Sequence, residues 1–289
     1  MVAPIVIAAH PSRHESEPME LGGMLARLTG APLEVLGTYW FDTTKGRTAP
    51  HDVQESLTRE VHEALDQVAA RSGTPVGGVR VHAMSGSAAA LVHELATRVD
   101  AGLVVVGSTH RGAVGRTLGS TTNRILDGAG CPVAVAPRGF RDPGEPPARV
   151  GVAFADTTEG HAALRAAAAI ARPTGAQLLI STFVDEHAHE SQRERAEIAL
   201  EQAVADYAQD VDARPRLMTR RGAEGLVEQS RELDLLVTGA RAPGPMRLAR
   251  KLARQSSCPL VVIPRGLDAP LRALFQGSAG AVRPARAQA

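Results

Sequence analysis

Short apolar runs alternate along the chain with longer amphipathic segments. The runs are rich in Val, Ile and Leu, which at this length is typical of buried β-strands. They predict ten strands, at Ile5–Ala9, Leu33–Thr38, Val79–Met84, Leu103–Gly107, Val133–Ala136, Val150–Phe154, Leu178–Phe183, Leu217–Arg220, Leu235–Gly239 and Leu260–Ile263.

The segments between these runs have the period of a helix. Their apolar residues recur every three or four positions, so that a single stripe faces the sheet. One stripe comprises Leu57, Val61, Leu65 and Val68, and another comprises Leu91, Leu95 and Val99. Strands alternating with helices imply right-handed crossovers and a parallel, doubly wound sheet.

The second half of the chain repeats the first. CPVAVAPRG at Cys131–Gly139 and CPLVVIPRG at Cys258–Gly266 lie 127 residues apart and share six of nine residues. Two more pairs occur in the same order, LVVVG with LLVTG at Gly107 and Gly239, and ARLTGAPL with ARPTGAQL at Gly30 and Gly175. A period this long indicates duplicated domains rather than a solenoid.

We therefore predict two α/β domains, residues 1–139 and 149–266, each with a doubly wound, five-stranded parallel sheet. Residues 140–148 belong to FRDPGEPPAR, which is rich in proline and charge and predicts an interdomain linker. Residues 267–289 are an Ala, Gly, Pro and Arg mixture, which predicts a disordered tail.

Composition narrows the classes of partner. The chain is 44% hydrophobic but only 3% aromatic, which favours aliphatic cores of the kind found in parallel sheets. Its 32 basic and 31 acidic residues give a net charge of +1, so no global field draws it to nucleic acid or to a membrane surface. The start, MVAPIVIAAHPS, predicts a strand rather than a signal peptide, and the protein is expected in the cytoplasm.

Few residues suggest catalysis or metal binding. The chain has no Walker A, G-x-G-x-x-G, G-x-S-x-G or H-E-x-x-H motif, so no enzymatic activity is predicted. Cys131 and Cys258 each precede a proline at the start of a strand and are expected to be structural. His187 and His189 fit either two metal ligands or a solvated loop, which is favoured. A solvated helix face is favoured over an anion patch for Arg247, Arg250, Lys251 and Arg254.

One segment resembles the signature of a known family. VVVGSTHRGAVGRTLGSTTNRIL, followed by CPVAVAPRG, is similar to the universal stress protein pattern, in which the fourth strand enters a G-x2-G-x9-G-S/T loop. The resemblance extends over about residues 1–266 as two domains and implies an adenine nucleotide alpha hydrolase-like fold. It implies a stress-response protein with ATP or another adenine nucleotide, with or without Mg²⁺, as a regulatory ligand. It also implies antiparallel pairing of the two last strands in an internal pseudo-dimer, and it allows a homodimer.

The family motif falls on the first copy with two departures. Gly107 matches its first glycine and Gly119 with Ser120 its closing pair, but His110 replaces the second glycine and the loop is one residue shorter. His10 replaces the Asp that commonly ends the first strand, so it is either a ligand contact or a solvated histidine. The candidate nucleotide-binding residues are Ala9, His10, Pro11, Tyr39, Gly107, Thr109, His110, Gly112, Gly115, Gly119, Ser120 and Thr121.

Two candidate features stay open. Gly112 or Gly115 can supply the flexible joint of the shortened loop. Tyr39, with Trp40 and Phe41, either stacks on the adenine or packs at the rim of the pocket.

The second copy departs further from the family. Gly239 and Cys258 are 19 residues apart, against 24 between Gly107 and Cys131, and no Gly-Ser pair follows. Ala155 stands at the position of the family Asp, with Asp156 next to it. We expect this copy to be a structural partner that binds no nucleotide. The alternative for the whole chain is a scaffold of the same fold that binds none at all.

Overall fold

The computed structural model of the chain describes residues 2–9, 16–39, 51–72, 78–108, 118–219, 222–240 and 247–264. These segments contain ten strands and eight helices, which alternate within each half of the chain. The first half comprises β1 (Ile5–Ala9), α1 (Glu17–Thr29), β2 (Leu33–Tyr39), α2 (His51–Ser72), β3 (Val79–Ser85), α3 (Ala88–Arg98), β4 (Leu103–Gly107), α4 (Ser120–Gly128) and β5 (Val133–Ala136). The second half comprises β6 (Arg149–Phe154), α5 (Thr158–Thr174), β7 (Gln177–Phe183), α6 (Glu190–Tyr207), β8 (Ala213–Met218), α7 (Gly222–Gln229), β9 (Leu235–Gly239), α8 (Arg247–Gln255) and β10 (Leu260–Ile263).

All ten strands form one sheet, in the order β3-β2-β1-β4-β5-β10-β9-β6-β7-β8. Within each half every pair is parallel, whereas β5 and β10 are antiparallel and join the two halves. Their register sets Leu260 against Val135, Val261 against Ala134 and Val262 against Val133. The predicted fold class and the pairing of the two last strands are therefore confirmed.

The helices cover both faces of this sheet. The first face packs against α1, α2, α5 and α6, through residues such as Leu25, Leu57 and Leu200. The second face packs against α3, α4, α7 and α8, through residues such as Leu95 and Leu252. Each hydrophobic cluster contains residues of both halves, so the core continues across the β5–β10 pair.

The predicted strands agree with the structure except for β8. Five have the predicted bounds and four others are longer by one residue at one end, whereas β8 is Ala213–Met218 instead of Leu217–Arg220. Arg214, Pro215 and Arg216 are exposed on this edge strand, so its sequence lacks the apolar run on which the prediction relied. Arg220 lies outside the described residues.

The repeated ARxTGA segment is a helix end in both copies. Gly30 and Gly175 follow α1 and α5 in the left-handed conformation, with φ of 69° and 68°. The preceding Thr29 and Thr174 each donate their hydroxyl to the carbonyl four residues back, at 2.7 and 2.9 Å. Glycine is the residue that adopts this conformation without steric strain, which explains why both copies have it.

The predicted linker is fastened to α1. Asp142 is buried and forms an ion pair with Arg27, while its N–H donates to Glu20 at 3.1 Å. The Gly139 N–H, just before the linker, donates to Glu17 at 3.0 Å. The linker's charges therefore contact the first domain.

Cys131 and Cys258 are buried, and neither forms a disulfide bond. Burial raises the pKa of the Cys131 thiol to about 11 and that of Cys258 to about 12, so both thiols stay protonated near neutral pH. Within the described segments, no helix is both long and apolar enough to cross a membrane.

Candidate functional site

The strand order places a crevice at the carboxyl ends of β1 and β4. The chain moves outward from β1 to β2 and β3 and then returns to β4 on the other side of β1. Ligands bind at this kind of switch point in doubly wound sheets. Ala9 and Gly107 end the two strands. The first turn of α1 lies close by, since a β-carbon on Gly107 would be 3.4 Å from Pro18 Cγ.

The loop after β4 has a hydrogen-bonded base. The Gly119 N–H donates to the Ser108 carbonyl at 3.1 Å, which brings the two ends of the loop together. The Thr122 hydroxyl donates to the Gly107 carbonyl at 2.7 Å and fixes the first turn of α4 to the end of β4. Ser108 is itself held by its N–H, which donates to the Ala136 carbonyl at 2.9 Å. The described residues on either side of 109–117 are thus fixed to one another, whereas 109–117 lie outside the described residues.

The N-terminus of α4 points into this region. Its N-cap residue is Gly119, and among the described residues no side chain caps the helix. The first N–H groups of a helix have no partner within the helix, and its dipole adds about half a positive charge there. Ser120 is exposed and Thr121 is half-buried, so hydroxyl groups accompany these N–H groups. Such an arrangement can bind phosphate.

The predicted nucleotide-binding residues are only partly described. Ala9 ends β1, Tyr39 ends β2 and Gly107 ends β4, so the backbone brings these three to one edge of the sheet. The side chains of Ala9 and Tyr39 are not described. The remaining candidates outside the described residues are His10, Pro11, Thr109, His110, Gly112 and Gly115, together with Trp40 and Phe41.

In the second copy, helix α5 lies very close to the ends of two strands. A β-carbon on Gly239, at the end of β9, would lie 2.6 Å from the backbone carbonyl of Glu159 in the first turn of α5. A β-carbon on Gly160 would lie 1.9 Å from the Ala155 carbonyl oxygen. The first turn of α5 therefore packs directly on the ends of β6 and β9.

Asp156, the carboxylate next to the family Asp position, already has a partner. Its carboxylate lies 2.9 Å from Nε2 of His161, on the first turn of α5. The His161 ring also stacks edge-on with Phe154, at 5.2 Å between centroids, and with Tyr207, at 5.7 Å. The carboxylate is therefore engaged within its own domain.

His187 and His189 form backbone hydrogen bonds near the start of α6. The His189 N–H donates to the Gln192 side chain at 3.1 Å at the start of α6, and the His187 N–H donates to Asp185 at 2.9 Å. Across the described part of the chain, no three His, Cys, Asp or Glu side chains are grouped so as to hold a metal ion.

The basic face of α8 is partly neutralised. Arg250 forms an ion pair with Asp127 of α4, in the other domain, and Lys251 lies 3.3 Å from Glu224 of α7. The four-residue basic face predicted from the sequence is therefore interrupted by carboxylates from two neighbouring helices.

Sequence reasoning missed a buried carboxylate in the first domain. Glu34, the second residue of β2, is 1% exposed at its side chain. It accepts from Arg80 Nε at 2.6 Å and lies 2.7 Å from Nε2 of His82, both on β3. Burial alone would raise the pKa of Glu34, but the hydrogen bonds and charges of Arg80 and His82 lower it below its ordinary value. The only signal in the sequence is a single Glu within an otherwise apolar strand.

Solved structures with this two-domain architecture are similar over nearly the whole chain. A universal stress protein from Archaeoglobus fulgidus DSM 4304 is 17% identical, with a TM-score of 0.62, and the alignment covers 92% of this chain and 98% of that one. A putative universal stress protein from Pseudomonas aeruginosa UCBPP-PA14 is 15% identical, with a TM-score of 0.66 and coverage of 96% and 98%. At these identities the similarity supports the fold alone. A comparison with curated protein sequences gives no match.

The sequence itself matches one family model twice. The universal stress protein family model matches residues 1–137 and again residues 148–264, which is most of the chain. With the two-domain sheet already described, this double match decides the relationship. The chain belongs to the universal stress protein family.

Proposed function

We propose that the first domain binds ATP or another adenine nucleotide as a regulatory ligand. The phosphates would lie at the N-terminus of α4, against Gly119, Ser120 and Thr121, and the loop from Gly107 would close over them. Ala9, His10 and Pro11 would border the ribose, and Tyr39 would border the adenine. Mg²⁺ would arrive with the phosphates of ATP.

The observation that carries this proposal is the α4 N-terminus beside Gly119, which no side chain in the described part of the chain caps. A glycine N-cap leaves the first N–H groups of the helix accessible to an anion, and the base of the loop is already fixed by the Ser108–Gly119 hydrogen bond. Little ordering of the base is then required on binding, which favours affinity.

The second domain is proposed to bind no nucleotide and to act as a structural partner. The close contacts of Gly239 and Gly160 with the backbone of neighbouring residues support this, since they place the first turn of α5 against the strand ends where a phosphate would approach. The proposal also includes the predicted domain limits, a cytoplasmic location and the absence of catalysis.

Calorimetric titration of the intact chain with ATP, ADP and AMP tests the proposal. Gly119→Val places a β-branched side chain where phosphate must approach, and binding should be lost. Gly130→Val is the matched control, because a β-carbon on Gly130 meets nothing within 4 Å. Its affinity should equal that of the wild type. Equal affinity in the Gly119→Val variant would show that this loop is not the site.

The second candidate function is a scaffold that binds no nucleotide. His110 at the second motif glycine and His10 at the position of the family Asp favour it. The same titration separates the two candidates, because absence of heat at roughly 500 µM nucleotide limits any affinity to the millimolar range and favours the scaffold.

A further inference from the structure

Ala134 and Val261 are equivalent residues of the two repeats, and they also face each other. Both occupy the fourth position of the Cys-Pro segment, 127 residues apart in sequence. In the antiparallel β5–β10 pair they lie directly opposite one another. The pseudo-twofold axis that relates the two domains therefore passes between them. Pairing of two identical domains would place two copies of one residue at this point.

The two residues differ in size in a way that suits only unlike domains. Ala134 and Val261 are both fully buried, on the first face of the sheet. Their neighbours on that face repeat the difference, with Ala136 in the first domain and Ile263 in the second. Two first domains would set Ala against Ala and leave a void, whereas two second domains would set Val against Val and overfill the same space.

The charges beside the strands are also complementary only between unlike domains. The ion pair across the interface joins Asp127 of α4 to Arg250 of α8. In the 127-residue repeat, Arg254 is the equivalent of Asp127, and Asn123 is the equivalent of Arg250. Two second domains would therefore place Arg250 near Arg254 of the other copy. Two first domains would place Asn123 near Asp127, which is not an ion pair.

We infer that the central interface selects a first domain paired with a second domain and disfavours two like domains. Every chain has two pairing strands, β5 and β10. If like domains paired, β5 of one chain could join β5 of the next and β10 could join another β10, so the chains would link without limit. Selection of the unlike partner satisfies both strands within one chain. The partner that this surface recognises is the other half of the same fold.

Substitutions in the intact chain can reproduce each like pairing. Ala134→Val creates the Val–Val contact of two second domains, and Val261→Ala creates the Ala–Ala contact of two first domains. Each should lower the folding equilibrium constant about tenfold, through overpacking or a cavity. The double variant exchanges the two residues and restores one small and one large side chain. Its stability in urea should return close to that of the wild type.

The Asp127–Arg250 ion pair allows a second, independent double-mutant cycle. Asp127→Arg reproduces the Arg–Arg pair of two second domains, and Arg250→Asn reproduces the Asn–Asp pair of two first domains. Both groups are partly exposed, so each change should lower the folding equilibrium constant only by about two- to fivefold. Asp127→Arg combined with Arg250→Asp exchanges the charges and should recover the loss.

Urea titration and light scattering together decide the inference. The inference is supported if both exchanged variants regain the stability of the wild type in urea and keep its molar mass. Additive losses would overturn it, because the interface would then have no preference for unlike residues. An exchanged Ala134/Val261 variant that fails to fold would overturn it equally. A variant with either single change at these two positions that remains as stable as the wild type would also contradict it.

Discussion

Val81 and Pro215 occupy the same position on the two opposite edges of the ten-stranded sheet. Val81 of β3 is in register with Val35 of β2, and Pro215 of β8 is in register with Ile180 of β7. Val35 and Ile180 are themselves equivalent residues of the two repeats. Each edge strand is thus in the same place in its own domain, and both end the sheet.

At both positions the backbone polar groups point away from the neighbouring strand, toward the open edge of the sheet. The Gly78 carbonyl faces β2, because it accepts from the Leu33 N–H at 3.0 Å. Successive residues of a parallel strand direct their backbone groups to opposite sides, so Val81, three residues later, directs its N–H and carbonyl away from β2. The Asp212 carbonyl accepts from Leu178 at 2.9 Å, which turns Pro215 outward in the same way. An unpaired edge can add a further strand.

Each edge is blocked by a different means. Gln54 of α2 donates its amide to the outward Val81 carbonyl at 2.9 Å. Pro215 has no N–H to offer, and the outward N–H of Ala213 already donates to Val211 at 2.8 Å. Strand addition therefore meets an occupied acceptor at β3 and missing donors at β8.

Removing these blocks should make the chain self-associate. Pro215→Val restores an outward N–H in a strand-forming residue, and Gln54→Ala releases the Val81 carbonyl. The molar mass of either variant should rise with protein concentration in size-exclusion chromatography with light scattering. Arg216→Val is the control, because it adds the same side chain at a position whose backbone N–H faces β7 and not the open edge. A constant molar mass for Pro215→Val over the whole range would contradict the prediction.

The Glu34 cluster predicts a loss of stability in acid. The pKa of Glu34 is lowered in the folded protein, so the carboxylate contributes stability above its unfolded pKa and loses it as the pH falls through the folded value. The urea midpoint should fall from about pH 5 downward, and this part of the fall should be absent in Glu34→Leu. A pH profile that is identical in the two proteins would show that Glu34 is not responsible.

Substitutions at Glu34 should differ in their effect on stability at neutral pH. Glu34→Gln keeps the shape but removes the charge facing Arg80 and His82, and it should destabilise the protein by about 1–2 kcal/mol. Glu34→Leu introduces the residue that the second domain has at the equivalent Leu179 and should cost less, since an apolar side chain fills the buried site while Arg80, 70% exposed, keeps its charge in water. A larger loss for Leu than for Gln in urea unfolding would be the contrary result.

Asp100 is a site for stabilisation. It has a φ of 51°, and the Ala101 N–H after it donates to the Ala96 carbonyl at 2.8 Å. Gly175 has the same role after α5, where the Ala176 N–H donates to the Ala171 carbonyl at 3.1 Å. Asp100→Gly should therefore raise the free energy of unfolding by about 0.5–1 kcal/mol.

The reciprocal change is the control for Asp100. Gly175→Ala should lower the free energy of unfolding by about 1 kcal/mol through backbone strain alone, because a β-carbon there meets nothing within 4 Å. Thermal unfolding measures both effects. Changes of the same sign in the two variants would mean that the left-handed backbone is not their cause.

Gly160 should not tolerate a side chain. Its β-carbon would lie 1.9 Å from the Ala155 carbonyl oxygen, so Gly160→Ala must displace the first turn of α5. We expect a loss of at least about 3 kcal/mol of unfolding free energy, or no folded protein. Gly130→Ala, with open space around its β-carbon, should be nearly neutral in the same urea titration. Wild-type stability in Gly160→Ala would show that the first turn of α5 can move to accommodate a β-carbon.

Local patterning in the sequence was enough for much of the fold. Apolar runs located nine of the ten strands, because apolar residues of these strands pack in or against the core. The repeated ARxTGA segment indicated the duplication, and the structure shows that it ends a helix in both copies. The glycine-rich pattern likewise located the end of β4 and the start of α4, but not the structure of the loop between them.

Other features depend on contacts between residues far apart in the chain. The strand β8 escaped prediction because an edge strand needs no apolar run, and Glu34 could be understood only beside Arg80 and His82 on the next strand. The sequence by itself determined two similar domains and the positions of their strands. Only the tertiary structure decided that Ala134 meets Val261, because the contact between the two copies is formed by residues that are distant in sequence and brought together by the sheet.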